Sequence, residues 1–194
     1  MSFDQEFASA ADWACAYRAL RLNVIPASAK KHPVARWGEF QDNLTPDAVF
    51  ARWYGDEGEH RTSYSMGFLT GSGCLEPGLS LLVIDVDAKE KDGRETWAQW
   101  LQVHANGLEP DTWKARTGSG GRHIYFSYPS HLHIHNTQVK FHGIDTRAQG
   151  GFIMAPPSPH QIRGTSYEWE PGCNPLVDDV DLAPAPDWLI EIAQ

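Results

Sequence analysis

The sequence predicts a single α+β domain, and three observations carry that prediction. Short apolar or alternating runs recur along the chain, as at Leu81–Asp87, Arg122–Ser127 and Phe152–Ala155. They read as strands. A few helical stretches are interspersed among them without the regular alternation of a parallel sheet. The 194 residues suffice for one sizeable core, and no repeat or domain-sized break interrupts them.

The elements follow in order. Residues from about Asp4 to Arg21 form a helix, because Ala10, Trp13, Ala14, Tyr17 and Leu20 recur on one face. Val24-Ile25 is a short strand ended by Pro26. Lys30 to Trp37 is a basic loop closed by an aromatic residue. Thr45-Pro46 starts a helix, with Thr45 as N-cap and Pro46 at the first helical position, and Gly55 ends it. Tyr64 to Leu69 is a strand, and Gly71-Ser72-Gly73 a turn. Leu79 to Asp87 is the central strand. Glu95 to Asn106 is an amphipathic helix stopped by Gly107. Trp113–Thr117 is a strand, and Gly118-Ser119-Gly120-Gly121 turns it into Arg122–Ser127. Alternation there puts His123, Tyr125 and Ser127 on one face, Ile124 and Phe126 on the other. Ser130 to His135 is a polar loop. Val139–Phe141 and Ile144–Thr146 are strand pieces meeting at Gly143. Phe152–Ala155 and Tyr167–Trp169 are the last strands. A Pro-rich acidic stretch and a short helix, Trp188–Ala193, close the chain.

Composition narrows the function classes. A hydrophobic content of 41% with 8 Trp predicts a packed core. No apolar run approaches the roughly 20 residues of a membrane span. Met1–Glu6 lacks the apolar core of a signal peptide, and three cysteines (Cys15, Cys74, Cys173) give no disulfide framework. A cytoplasmic protein is expected. The net charge of −9 argues against nonspecific nucleic-acid binding. The distribution qualifies that. Between Lys114 and Arg147 stand Lys114, Arg116, Arg122, Lys140 and Arg147 against one acid, Asp145, so a basic surface is expected within an acidic chain. No phosphate-binding Gly-Lys-Ser/Thr loop occurs, so no NTPase motor is encoded here.

The chemistry centres on Leu81–Asp87, an apolar run leading into two acids. Asp85 and Asp87 project from one strand face about 7 Å apart. They repel unless a cation lies between them, and a divalent metal is the usual one. Asp145 ends another strand piece. If that strand neighbours the first, three carboxylates gather, the hard oxygen donors that suit Mg²⁺ or Mn²⁺. Arg122-His123 follows a glycine turn whose backbone N–H groups can meet phosphate. Lys31 and Arg36 are candidates to face a polyphosphate or a nucleic-acid strand.

The order of these pieces resembles the archaeo-eukaryotic primase superfamily. Asp85-Val86-Asp87, Ser119-Gly120-Gly121-Arg122-His123, and Gly143-Ile144-Asp145 are similar to its three motifs. The nearest branch is the bifunctional primase-polymerase domain of phage and plasmid replication proteins. Its flanking stretches also find counterparts: Val24-Ile25-Pro26, Lys31-His32-Pro33 with Trp37, Gly150-Gly151 before Ala155-Pro156-Pro157-Ser158, and Gly164-Thr165-Ser166-Tyr167-Glu168-Trp169. The resemblance spans roughly Trp13 to Leu189. It implies an RRM-like antiparallel catalytic palm with a small α/β N-terminal unit. It also implies template-directed nucleotidyl transfer from NTPs or dNTPs on single-stranded DNA, releasing pyrophosphate. Asp85, Asp87 and Asp145 would hold two Mg²⁺ or Mn²⁺ ions, and His123 would meet the nucleotide phosphates. Position and charge add Arg122, Arg147 and Lys31 as nucleotide contacts. Residues 1–180 would form the catalytic domain. Residues 181–194 would be a tail and short helix, opening a linker toward a helicase region, fused or separate.

Three other readings stand beside this one. His131-Leu132-His133 and His133-Ile134-His135 match the His-x-His pattern of rolling-circle nucleases or a zinc site, but the usual nuclease Tyr with a nearby Lys is missing, since Tyr17 has no Lys within a turn on either side. Tyr125 and Phe126 could stack bases in a non-catalytic strand- or nucleotide-binding module. The same acids could serve a metal-dependent phosphoesterase.

Overall fold

The computed structural model describes residues 7–71, 75–88 and 92–194. The elements run α1 (Ala10–Ala19), β1 (Val24–Pro26), α2 (Asp47–Tyr54), β2 (Met66–Thr70), β3 (Leu79–Val86), α3 (Gly93–Ala105), β4 (Lys114–Arg116), β5 (Arg122–Pro129), β6 (Thr137–Phe141), β7 (Ile144–Arg147), β8 (Gly151–Met154), β9 (Glu168–Trp169) and α4 (Asp187–Ala193). Helices and antiparallel sheets share the chain, as an α+β fold requires. The expected turn at Ser72-Gly73, the Lys140 side chain and the first residues of the expected first helix lie outside the described residues. Among the described residues, no helix is long and apolar enough to cross a membrane.

Two sheets form the frame. The larger has the order β6-β7-β3-β5-β4-β9, the smaller β1-β2-β8, and every strand pair is antiparallel. Within the larger sheet, β3-α3-β4-β5-β7 gives the spatial order β7-β3-β5-β4. That is the strand order of an RRM-like sheet, with the β6 hairpin where such a unit has its second helix. The smaller sheet is not contiguous in sequence, because β8 returns from the far half of the chain to pair with β2.

Alternation along β3 and β5 separates two cores. Leu81, Val83 and Tyr125 pack with α1, α2 and the small sheet. Leu82, Ile84, Val86, Ile124 and Phe126 pack with α3 and α4. The expected division of β5 into a His123/Tyr125 face and an Ile124/Phe126 face is therefore the division between the cores. The Pro-rich stretch also packs here: Ser127 and Ala185 exchange backbone hydrogen bonds with Ala183 and Ser127 at 2.9 and 2.8 Å. Trp188 then lies against Trp97 and stacks on His104, ring centroids 5.1 Å apart.

Local details correct two expectations. Helix α1 starts at Ala10, because Ser9 and Asp12 form a reciprocal capping box that terminates it there. Thr45 does not cap α2; Pro46 holds the N-cap position. The Thr45 amide and hydroxyl both donate to Oδ1 of Asn23, at 2.7 and 2.8 Å. Asn23 is fully buried, and its amide donates to the Phe40 and Asn43 carbonyls. A buried amide with every group satisfied fixes the loop before α2 more firmly than a cap would.

Candidate active site

The register of three strands builds the site. Asp85 on β3 pairs directly with His123 on β5 and with Asp145 on β7. Residues paired in register share a sheet face, so His123, Asp85 and Asp145 form one row across the sheet. Arg147, two residues beyond Asp145 on β7, joins that face. Its Nη2 donates to Asp145 at 2.8 Å and to Asp85 at 3.3 Å. A guanidinium thus lies between Asp85 and Asp145, whereas the sequence predicts a cation between Asp85 and Asp87.

The row opens into a cavity of about 410 Å³ at the seam between the two sheets, walled by β8 and by the loop carrying Lys31 and Trp37. Asp85, Asp87, His123, Arg147 and Lys31 all line it. Asp145 is reached through Arg147. Asp87 follows the last residue of β3, and its amide donates to the Gly143 carbonyl at 2.7 Å, which ties the strand end to the β6–β7 turn. Arg147 Nε and Asn136 Oδ1 are buried without a hydrogen-bond partner among the described residues. An unmatched donor and an unmatched acceptor at one cavity are groups that a polar ligand satisfies.

His123 is buried beneath this surface, with Nε2 3.6 Å from Asp85. Burial lowers its pKa, the charges of Arg147 and Lys31 lower it further, and Asp85 opposes them; the result is about 4. The imidazole is neutral at pH 7 and offers a hydrogen bond without a charge.

Arg122 is not part of this row. Its neighbour His123 faces the cavity, so alternation sends Arg122 to the opposite face. There it forms a bidentate pair with Glu109, at 2.7 and 2.9 Å, and another with Glu170, at 2.7 and 3.0 Å. The glycine turn also differs from expectation. The amides of Gly120 and Gly121 are taken up by Thr117, through its carbonyl at 2.9 Å and its hydroxyl at 3.1 Å. The hydroxyl-bearing Thr117 and Ser119 line the cavity instead. A Cβ at Gly121 would collide with the Val86 carbonyl oxygen, so the glycine lets the turn approach β3.

The sequence reading overlooked Asn136 and Tyr167 as cavity residues, and His160, whose Nε2 contacts the Lys31 ammonium at 2.9 Å. In the sequence Tyr167 stands within a terminal strand, and His160 directly follows the proline stop at 156–159. Other candidates fall away on position. Tyr17 is fully buried, donating to the Pro156 carbonyl and accepting from Trp169, and burial raises its pKa well above the ordinary phenol value. It is no nucleophile. Tyr125 and Phe126 are fully buried on opposite faces and present no ring to a strand. His131, His133 and His135 lie on the loop after β5, outside the cavity wall. Among the described residues, no group of three or more His, Cys, Asp or Glu converges as a ready-made metal cage.

A search of curated proteins returns no match. The family model described as bifunctional DNA primase/polymerase, N-terminal, matches residues 14–188. With nearly the whole chain covered, the protein belongs to the Prim-Pol family.

Proposed function

We propose that this domain performs template-directed nucleotidyl transfer on single-stranded DNA, joining NTPs or dNTPs with release of pyrophosphate. The observation that carries this reading is the row His123–Asp85–Asp145, set in register across three strands and holding a cation at a polar cavity. A binding module alone needs no opposed carboxylates, which repel phosphate. Asp85 and Asp145 already hold the Arg147 guanidinium, a stand-in for a metal cation. Two such carboxylates are the oxygen donors that Mg²⁺ or Mn²⁺ takes when substrate phosphates complete its shell, so the site fits the ions. Asp85, Asp87 and Asp145 would hold two of them. When bound, such ions lower the pKa of an attacking hydroxyl and stabilise charge on a leaving pyrophosphate.

The chain's own groups do the rest. Neutral His123 donates to a phosphate oxygen without competing for the carboxylates. Lys31 and Arg147 supply positive charge, and Asn136, Thr117 and Ser119 supply polar contacts that orient the nucleotide. Arg122 keeps β4, β5 and β9 together from the opposite face. The described residues up to 180 form the catalytic body, and 181–194 form the strap docked on β5 and α3.

The test is primer-independent synthesis on single-stranded DNA with labelled NTPs and dNTPs. The wild type is expected to make chains and release pyrophosphate. Asp85→Ala is expected to make none while keeping its fold by circular dichroism. Synthesis by Asp85→Ala at the wild-type rate would remove the acidic pair from the reaction. Release of phosphate in place of pyrophosphate would favour a phosphoesterase.

A further inference from the structure

We propose that residues 33–39 form a seat for the single-stranded template, in which Trp37 stacks on a base and Arg36 meets a backbone phosphate. The idea rests on the nucleotidyl-transfer reading. A template base has to face the nucleotide in the cavity, so the strand has to cross the cavity rim.

Trp37 is set apart from the other tryptophans. Trp13, Trp53, Trp97, Trp100, Trp169 and Trp188 each lie against another ring. Trp113 is buried and donates its indole N–H to the Val180 carbonyl at 3.1 Å. Among the described residues Trp37 has neither a ring partner nor a hydrogen bond from its indole. It is half-buried and packs only in part against the core. Trp37 and Pro33 line two hollows at once. One is the nucleotide cavity. The other, of about 620 Å³, is lined also by Val34, Ala35, Arg36, Gly38 and Glu39. A buried aromatic finds ring or hydrogen-bond partners inside the protein; an indole left without them at a cavity rim is a stacking platform.

Both ends of the segment are fixed. Ala27 bridges to Pro33, and the Val34 amide donates to the Pro26 carbonyl at 3.0 Å. At the far end the Phe40 amide donates to the Trp37 carbonyl at 2.8 Å, and the buried Asn23 amide donates to the Phe40 carbonyl at 2.9 Å. The Gln41 side chain accepts from the Gly150 amide at 2.7 Å, which ties the segment to the turn before β8. The ring is therefore held before a strand arrives, and little ordering is lost on binding. A Cβ at Gly38 would meet nothing within 4 Å, so the backbone beside Trp37 leaves open space.

Charge selects the occupant. The chain carries −9 overall, yet residues 30–37 include Lys30, Lys31 and Arg36 and no acid. Lys30 and Arg36 are exposed, and among the described residues neither makes an ion pair. Glu39 is the one acid among the residues lining the outer hollow. Unpaired cations beside an open indole suit a single strand, whose phosphates need charge and whose bases each offer a face to stack.

Binding of a labelled oligothymidine strand, followed by fluorescence anisotropy over a range of salt, tests the seat. Trp37→Leu is expected to bind the strand at least about tenfold more weakly, and Trp37→Phe, which keeps a ring, within about threefold of wild type. Arg36→Met is expected to weaken binding about threefold and to lower the slope of log affinity against log salt by about 0.7, the share of one phosphate on a single strand. Arg36 is exposed, so this variant reads the site even where Trp37→Leu fails to fold. Arg52→Met removes the same charge from an exposed position on α2 and should keep the wild-type slope. Wild-type affinity and slope in Arg36→Met, an equal fall in slope in Arg52→Met, or equal losses in Trp37→Leu and Trp37→Phe would overturn the proposal. If Arg36→Met binds the strand normally but loses one of two ATP molecules bound by the wild type, the hollow takes a free nucleotide and the proposal fails. If strand binding follows the expected pattern but the wild type releases no pyrophosphate, the transfer reading fails and the seat stands. If the wild type releases pyrophosphate and Arg36→Met binds the strand as wild type does, the seat fails alone.

Discussion

Arg122 and Arg147 stand on the same sheet, each between two carboxylates, and they do opposite jobs. Arg122 makes four hydrogen bonds to Glu109 and Glu170. Glu109 is completed by the Trp97 indole at 2.7 Å and by Lys114 at 3.3 Å. Four of the five N–H donors of Arg122 are taken up by these two carboxylates. Arg147 reaches Asp85 and Asp145 through one nitrogen, and its Nε stays buried without a partner among the described residues. A closed set of charges holds strands together; an open set at a cavity exchanges partners with a substrate. The difference lies in the face each residue occupies, and adjacent positions on β5 decide that for Arg122 and His123.

Four changes sharpen the contrast. The largest concerns the open set: Asp145→Ala is expected to reduce synthesis on the order of a thousandfold, with the far-UV circular dichroism spectrum unchanged. Equal activity would place Asp145 outside the chemistry. The closed set should answer in stability. Arg122→Ala leaves Glu109 and Glu170 facing each other partly buried, and is expected to lose about 3 kcal/mol in urea unfolding. A loss below about 0.5 kcal/mol would mean the cluster is solvated like an ordinary surface pair. Arg147→Met should cost about 1 kcal/mol in chelator, from the opposed Asp85 and Asp145 charges. Millimolar Mg²⁺ should restore it, since an ion bound only by the folded state stabilises that state.

The smallest effect is in pH. Burial opposes the Glu109 charge, but hydrogen bonds from Arg122 and Trp97 and the charges of Arg122 and Lys114 outweigh it and hold its pKa down at about 2. Its ordinary value is 4.5. The folded state therefore binds fewer protons than the unfolded state between these values. The stabilisation is fully present above pH 4.5 and is lost as pH falls toward 2. The wild-type urea midpoint should fall across that window, and Glu109→Gln should flatten the fall. Identical slopes would assign the acid sensitivity to other groups.

What the sequence revealed, and what it hid, follows the range of the interactions. Asp85 was legible because an apolar run ended in it, and His123 because alternation on β5 is regular. Their partnership with Asp145 could be framed only as a condition, since sequence order carries no strand neighbourhood. Arg122 was misplaced because a basic pair after a glycine turn was read as one unit, although adjacent strand residues face apart. The backbone N–H groups of that turn were offered to phosphate, while Thr117, inside the same turn, takes two of them. Thr45 was read from its local helix-start pattern, and the buried Asn23 that claims it lies 22 residues earlier. His160 meets Lys31 across 129 residues, a distance at which no spacing rule operates.

The central claim is that the Asp85–Asp145 pair is an open cation site, and Mn²⁺ binding followed by electron paramagnetic resonance tests it directly. The wild type, titrated with Mn²⁺ in the presence of ATP, is expected to bind the ion, and Asp85→Asn to bind it at least about tenfold more weakly while Arg122→Lys binds as wild type. Equal Mn²⁺ affinity in wild type and Asp85→Asn, or no binding in the wild type, would contradict the account.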